Sequence, residues 1–246
     1  MFRLLTYNVL EGAASGRLDG VLQAVESARA EVVAIQEARY WRRHRRETLR
    51  EASRRLGVRG LLAEANSGFD LVVFSRLPVL RFTNHGAESP FLHTACSLDL
   101  RAPSGAVVTL FVAHLRPDLP GRGHEVKLLL EWMRPYRSGY CALCGDLNSL
   151  TPGDPVAAGL WVGSPLGQRS DPVIPRIVRA GWRDCFRLLH PTRPGFTLGT
   201  KRRVARVDYI FASPKLAARA VRCQVHRHPG LLAASDHSPL WAEFDV

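Results

Sequence analysis

The segment 143-LCGDLNSL-150 sets Asp146 and Asn148 two residues apart at the end of an apolar run. The apolar residues favour burial, and a carboxylate and an amide resist it unless they are partnered. A carboxylate can take a proton from water, and an amide can donate to an anionic oxygen. The same situation recurs along the chain. Asn8 lies near the end of 2-FRLLTYNV-9, Glu37 follows 32-VVAIQ-36, and His114 nearly closes 106-AVVTLFVAHL-115. Asp208 lies in 206-RVDYIF-211, and Asp236 and His237 lie in 235-SDHSPL-240. Carboxylates and amide oxygens without a Cys/His cluster favour a hard divalent ion, Mg²⁺ or Mn²⁺. Histidines add donors that bind a phosphate oxygen or carry protons near neutral pH. No GxSxG elbow, Walker loop or GxGxxG accompanies them. An activated water is therefore the expected nucleophile, and phosphoryl transfer to that water suits the inventory.

These residues need strands that end together. Apolar and β-branched runs predict strands over 2–9, 32–36, 59–64, 69–75, 91–100, 106–115, 140–146, 204–212, 219–227 and 239–246. Leu18, Val21, Leu22, Val25 and Ala28 have helical spacing. The Arg-rich segment 39–60 reads as a helix with Leu49, Ala52 and Leu56 on one stripe and Gly57 as its stop. Further helices are expected near 124–133 and 176–180, a turn near 183–189, and a long loop over 150–175, rich in Pro and Gly. The pattern predicts a mixed α/β chain, with two packed sheets and outer helices as one way to bury so many half-apolar strands. No composition break divides the 246 residues, so a single domain over 1–246 is expected.

Each residue also has a plainer reading. GDLN fits an Asx turn after a strand. Asn8 can cap a turn, and Glu37 can pair with Arg39 at the rim. His114 can be a satisfied strand-end histidine, and Asp208 with His237 a structural pair. His44, His85, His93, His124, His190, His226 and His228 read as surface or packing residues. Trp41, Trp132, Trp161, Trp182 and Trp241 read as packing. Five cysteines cannot complete a disulfide framework within the chain, and Cys141 and Cys144 read as free thiols in a buried strand.

The net charge is +12, and of the 34 basic residues only Lys127, Lys201 and Lys215 are lysines. That skew reflects codon composition as readily as function. Residues 39–60 carry nine arginines against two glutamates. Such a surface attracts polyanions, although a solvated helix face explains it as well. The N-terminus lacks the apolar run and small-residue cleavage site of a secretory signal, so a cytoplasmic protein is expected. No membrane anchor and no protein partner is evident.

TYNV, IQE, AHL, GDLN, RVDYIF and SDHSPL occur here in the order, and with the approximate spacing, of the endonuclease/exonuclease/phosphatase superfamily. The chain thus resembles a group that includes pancreatic deoxyribonuclease, abasic-site endonucleases, neutral sphingomyelinases and inositol polyphosphate 5-phosphatases. The resemblance runs from Asn8 to His237. It implies a four-layer α/β/β/α sandwich with two central, mostly antiparallel sheets. It implies a Mg²⁺-dependent phosphoesterase, with Mn²⁺ as a possible substitute, and the basic face makes a nucleic-acid backbone the first choice of phosphate-ester substrate. A lipid or sugar phosphate is the alternative substrate, and a non-catalytic nucleic-acid-binding module the alternative of another class. Glu37 resembles the main metal carboxylate, with Asn8 beside it and Asp236 as a second acid. Asp146 resembles the residue that orients or deprotonates water, and Asn148 the amide that holds the phosphate. Asp208 is similar to the carboxylate that pairs with His237, itself a donor toward phosphate. His114 resembles a histidine that binds phosphate or protonates the leaving group. One position departs: abasic-site endonucleases carry an aspartate two residues after the first-strand asparagine, and here that place is Leu10.

Overall fold

A computed structural model describes residues 1–86, 91–157, 173–228 and 231–246. The strands are β1 (Phe2–Asn8), β2 (Val32–Gln36), β3 (Gly60–Ala63), β4 (Leu71–Ser75), β5 (Val79–Asn84), β6 (Thr94–Arg101), β7 (Val107–His114), β8 (Tyr140–Asp146), β9 (Arg183–Asp184), β10 (Asp208–Ala212), β11 (Ala220–Val225) and β12 (Leu240–Phe244). They form two six-stranded sheets, in the orders β11-β12-β1-β2-β4-β3 and β5-β6-β7-β8-β10-β9. Each sheet is antiparallel except at its centre, where β1 pairs with β2 and β7 with β8 in parallel.

Period-two alternation builds the layers. Leu4, Val32, Ala34 and Val73 of the first sheet meet Leu110, Val112, Ala142, Cys144 and Ile210 of the second. The intervening residues Leu5, Val33, Ile35 and Val72 face the helices Leu18–Ala28 and Glu47–Leu56. On the other side, Phe111, Cys141, Leu143 and Phe211 pack on the helices Leu119–Met133 and Val173–Arg179. The architecture is an α/β/β/α sandwich. All five cysteines are buried as free thiols. Among the described residues no helix is long and apolar enough to cross a membrane.

The Arg-rich segment departs from the expected helix. Only Glu47–Leu56 is α-helical, ending at Gly57 with φ +66°. Before it, Glu37, Tyr40, His44, Arg45 and Arg46 all take positive φ. Consecutive cations at a helix N-terminus oppose the helix dipole, and Trp41 is buried with its indole N–H on the Gly12 carbonyl at 2.9 Å. The helix before β8 begins at Leu119 rather than near 124, because Pro120 stands in its first turn, where proline is tolerated. Strand β5 has no counterpart in the expected elements. It is a mostly exposed edge strand and shows no buried period. The expected long loop lies largely, and Trp161 wholly, outside the described residues.

Candidate active site

A parallel strand pair releases both C-terminal ends at the same edge of its sheet. With one such pair in each sheet, Asn8 lies beside Gln36 and His114 beside Asp146. Antiparallel β10 starts at that rim, with Asp208 opposite Asp146, and the chain enters β12 there through Asp236 and His237. On β8, the alternation that sends Ala142 and Cys144 between the sheets sends Asp146 there too. The rims touch: Asn8 Nδ2 of the first sheet donates to Asp146 Oδ2 of the second at 3.0 Å.

Asp146 is 2% exposed. Its Oδ1 accepts the Asn148 backbone N–H at 2.9 Å. His114 Nε2 and His237 Nε2 stand 3.7 and 3.8 Å from its Oδ2. Burial, then the Asp208 charge, push its pKa up to about 7, against the pull of His237, Asn148 and Asn8. A carboxyl group poised there can exchange a proton near neutral pH.

Asn148 is not on the strand. It follows β8 with φ +47° and folds back through the Asx turn that GDLN allows, so the turn and the convergence with Asp146 coexist. Its Nδ2 donates to the Leu115 carbonyl at 2.8 Å and lies 3.3 Å from His114 Nε2. The preceding Gly145 has φ +143°, and a Cβ there would stand 1.8 Å from the Ala113 carbonyl oxygen, so only glycine fits.

His237 Nδ1 and Asp208 Oδ2 are 2.8 Å apart. Burial disfavours the imidazolium, but Asp208, then Asp146 and Asp236, outweigh it and raise the His237 pKa to about 10. His237 therefore carries its proton at neutral pH. Burial, with the neighbouring His93 and His237, holds His114 well below the ordinary histidine value, so His114 is neutral. Thr197 Oγ1 accepts the Val207 and Asp208 N–H groups at 3.1 Å and fixes the start of β10.

Glu37 is half-buried in the left-handed region, φ +58°. It accepts from Asn8 Nδ2 at 3.0 Å and from the Glu11 N–H at 2.8 Å. Arg39 pairs with Glu11, not with Glu37. Asn8 Oδ1 takes the Leu10 N–H at 3.0 Å, so the amide nitrogen bridges Glu37 and Asp146. Asp236 stands at the edge. It is exposed, its carboxylate receives Ser235 Oγ at 3.5 Å, and its carbonyl takes the N–H groups of Gly199 and Thr200. The structure therefore joins Asn8, Glu37, His114, Asp146, Asn148, Asp208 and His237 in one network, with Asp236 beside it.

Sequence reasoning missed one wall of this crevice. His93, 8% exposed, stacks on His114 with ring centroids 4.1 Å apart. Ser67 Oγ holds His93 Nδ1 at 2.9 Å, and Phe69 meets both rings edge-on. Thr94 pairs with His114 across the sheet. A histidine at the start of a strand antiparallel to the His114 strand was the available signal.

The donors fit a hard divalent cation. Ligand atoms of Asp146, Asp208 and His237 lie within 4.8 Å of one another, and Asp208 Oδ1 is buried without a hydrogen-bond partner. Carboxylate oxygens suit a small divalent ion; a protonated His237 is a donor rather than a ligand, and the Glu37 carboxylate, which shares Asn8 Nδ2 with Asp146, adds a further oxygen donor at the same rim.

A buried carboxyl poised near neutral pH, an imidazolium held by a second carboxylate and oxygen donors suited to a divalent ion are the parts of a metal-dependent phosphoric ester hydrolase. The chain belongs to the Endonuclease/Exonuclease/phosphatase family, whose sequence profile matches residues 5–237. No curated protein matches it in sequence. Among solved structures it is similar to an AP endonuclease from Archaeoglobus fulgidus, at 19% identity and TM-score 0.78 with both chains fully covered. It is similar to a 3′ phosphatase from Neisseria bound to a product DNA hairpin, at 18% identity and TM-score 0.81, again with both chains fully covered. A truncated TDP2 from Caenorhabditis elegans is 15% identical with TM-score 0.70, covering 100% of this chain and 97% of that one. At these identities the likeness is one of fold.

Proposed function

We propose that residues 1–246 form one catalytic domain, a Mg²⁺-dependent phosphodiesterase that cleaves a nucleic-acid backbone by direct attack of water, without a covalent intermediate. The observation that carries the reading is the buried Asp146 carboxyl, met by Asn8, Asn148, His114 and His237 from both sheets. The net charge of +12 supports a polyanionic substrate, as does the DNA hairpin held by the Neisseria neighbour.

In this reading Glu37 is the principal ligand of the ion, with Asn8 and Asp236 beside it. Asn8 now turns its nitrogen toward both carboxylates, so ligation through its oxygen requires the amide to turn over. When bound, Mg²⁺, or Mn²⁺ in its place, would offset the substrate's negative charge as a Lewis acid. Asp146 takes the proton of the attacking water. Asn148 donates to a phosphoryl oxygen the amide hydrogen it now shares with His114. His237, kept protonated by Asp208, faces the charge that develops on the phosphoryl group, and such preorganised stabilisation is usually the largest catalytic contribution. His114, being neutral, serves as a hydrogen-bonding partner of Asn148 and the phosphate rather than as a ready acid. The buried free thiols fit a cytoplasmic site of action.

A substrate panel tests this: plasmid DNA, oligonucleotides, RNA, sphingomyelin and inositol phosphates, each with Mg²⁺ and with EDTA, in ¹⁸O-water. Cleavage of a polynucleotide with Mg²⁺ only, and ¹⁸O in the product phosphate, is expected. Preference for sphingomyelin or an inositol phosphate refutes the nuclease reading, and binding of DNA without turnover makes the chain a binding module.

A further inference from the structure

Against the end of β11 lies a pocket of about 260 Å³ lined by Phe186, His190, Arg193, Phe196, Arg203 and Arg227 among others. Its position is fixed by the strands that enter the catalytic rim. Arg227 follows β11, and its guanidinium reaches Ser238 Oγ at 3.4 Å and the Phe196 carbonyl at 3.5 Å. Ser238 is the residue after His237, and its N–H is held by the Thr197 carbonyl at 2.7 Å. Arg203 sits on the turn closed by Leu198 and Ala205. That turn is tied to the catalytic rim, since Gly199 and Thr200 donate to the Asp236 carbonyl.

The charge of the pocket is uncompensated. No acid lines it, and among the described residues no carboxylate pairs with Arg193, Arg203 or Arg227. The contrast with neighbouring Arg187 and Arg206 is sharp, since both of those end on Asp154. Burial and the facing Arg203 lower the Arg227 pKa, as expected for like charges held together. Lys201 and Arg202, both exposed, extend the same charge along the turn. A cluster of cations without counter-ions disfavours the folded chain unless an anion joins it. Phe196 and His190, both half-buried, add flat surfaces to the walls, the kind on which a base stacks.

We propose that Arg193, Arg203 and Arg227 form a second phosphate subsite, gripping a backbone phosphate of a nucleic-acid chain that flanks the one hydrolysed. This rests on the nuclease reading and deepens it: the substrate is a polymer with phosphates on both sides of the scissile bond, not an isolated ester.

The test compares the unaltered protein, Arg203→Ser/Arg227→Ser, and a control, Arg101→Ser/Arg219→Ser, that removes equal charge at the opposite ends of the strands. All four side chains are exposed, and circular dichroism and melting of each variant establish that it is folded before it is assayed. Binding of a labelled single-stranded oligonucleotide is measured by anisotropy in EDTA, and hydrolysis of the oligonucleotide and of bis(4-nitrophenyl) phosphate with Mg²⁺. The subsite variant is expected to bind roughly tenfold more weakly, with its slope of log Kd against log salt flatter by about 1.4, two lost contacts at about 0.7 each. Its kcat/KM on the small diester stays at the unaltered value. Equal oligonucleotide affinity in subsite variant and control overturns the subsite, whether or not the oligonucleotide is cleaved. If the unaltered protein binds but never cleaves the oligonucleotide, the nuclease reading fails, while weaker binding by the subsite variant alone still upholds an anion-binding pocket there.

Discussion

Two ionic clusters flank the start of β10, two residues apart in sequence, and they are built on opposite principles. Arg206 is fully buried and closed. Its guanidinium donates to Asp154 at 2.7 Å, to Asp184 at 2.6 Å and to Thr151 at 3.0 Å, and it lies over the Tyr209 ring. Arg187 completes the cluster through Asp154 and three carbonyls. Asp208 belongs to the open cluster. Its one oxygen meets His237 and its other has no partner, His114 Nδ1 is equally bare, and Asp208 and Asp146 set like charges side by side. A buried charge that holds structure costs least when it is satisfied as Arg206 is. A site meant to receive an ion and a substrate keeps atoms in reserve.

The comparison can be broken in several ways. The largest effect is expected at Asp146. Asp146→Asn should lower kcat/KM by about 10³-fold, within the range for lost general acid–base catalysis. The metal-free protein should keep or gain thermal stability at pH 8, because a repelling charge is removed; calorimetry beside steady-state kinetics checks both. Next comes the closed cluster. Arg206→Ala leaves Asp184 without its cation and Asp154 with Arg187 alone, and should cost about 3–5 kcal/mol of stability by urea titration, with kcat retained by the folded fraction.

The pH dependence of the metal-free protein sharpens the contrast. The folded value of His237, about 10, exceeds its ordinary 6.5, so the folded state holds that proton more tightly. The stabilisation is complete below 6.5 and is lost as the pH rises through 10. Asp146, raised from 3.8 to about 7, acts in the same direction over a lower window. Melting temperature should fall from pH 6 to pH 10, and His237→Gln should flatten the upper part of that fall. The smallest effect is expected at His93. His93→Ala should reduce kcat a few-fold by freeing the His114 ring, and His93→Phe, which keeps the stacked face, should recover most of it.

What the sequence revealed follows the same division. The helix Leu18–Ala28 and the strands β2 and β8 match their sequence boundaries because their apolar periods face packed layers on known sides. Edge strand β5 escaped because nothing buries it. The Arg-rich turn before the helix escaped because its form is set by partners distant in sequence, Glu11, Glu64 and Asp70. The polar site positions were legible as charged or amide residues at strand ends. Their connections were not: no local signal tells that Asn8 bridges Glu37 to Asp146, or that Asn148 returns to His114 through a left-handed residue. His93 was hidden by its apolar, aromatic surroundings, which read as packing.

The same chemical change made in both clusters tests the central claim most directly. Asp208 and Asp184 each bind one cation through one carboxylate oxygen, His237 and Arg206 respectively. Single-turnover cleavage of an oligonucleotide with saturating Mg²⁺ should slow about 10²-fold in Asp208→Asn and proceed at the unaltered rate in Asp184→Asn, which instead melts earlier. Equal rates in the two variants, or the greater loss in Asp184→Asn, would contradict the assignment of the open cluster as the place where the phosphate ester is cleaved.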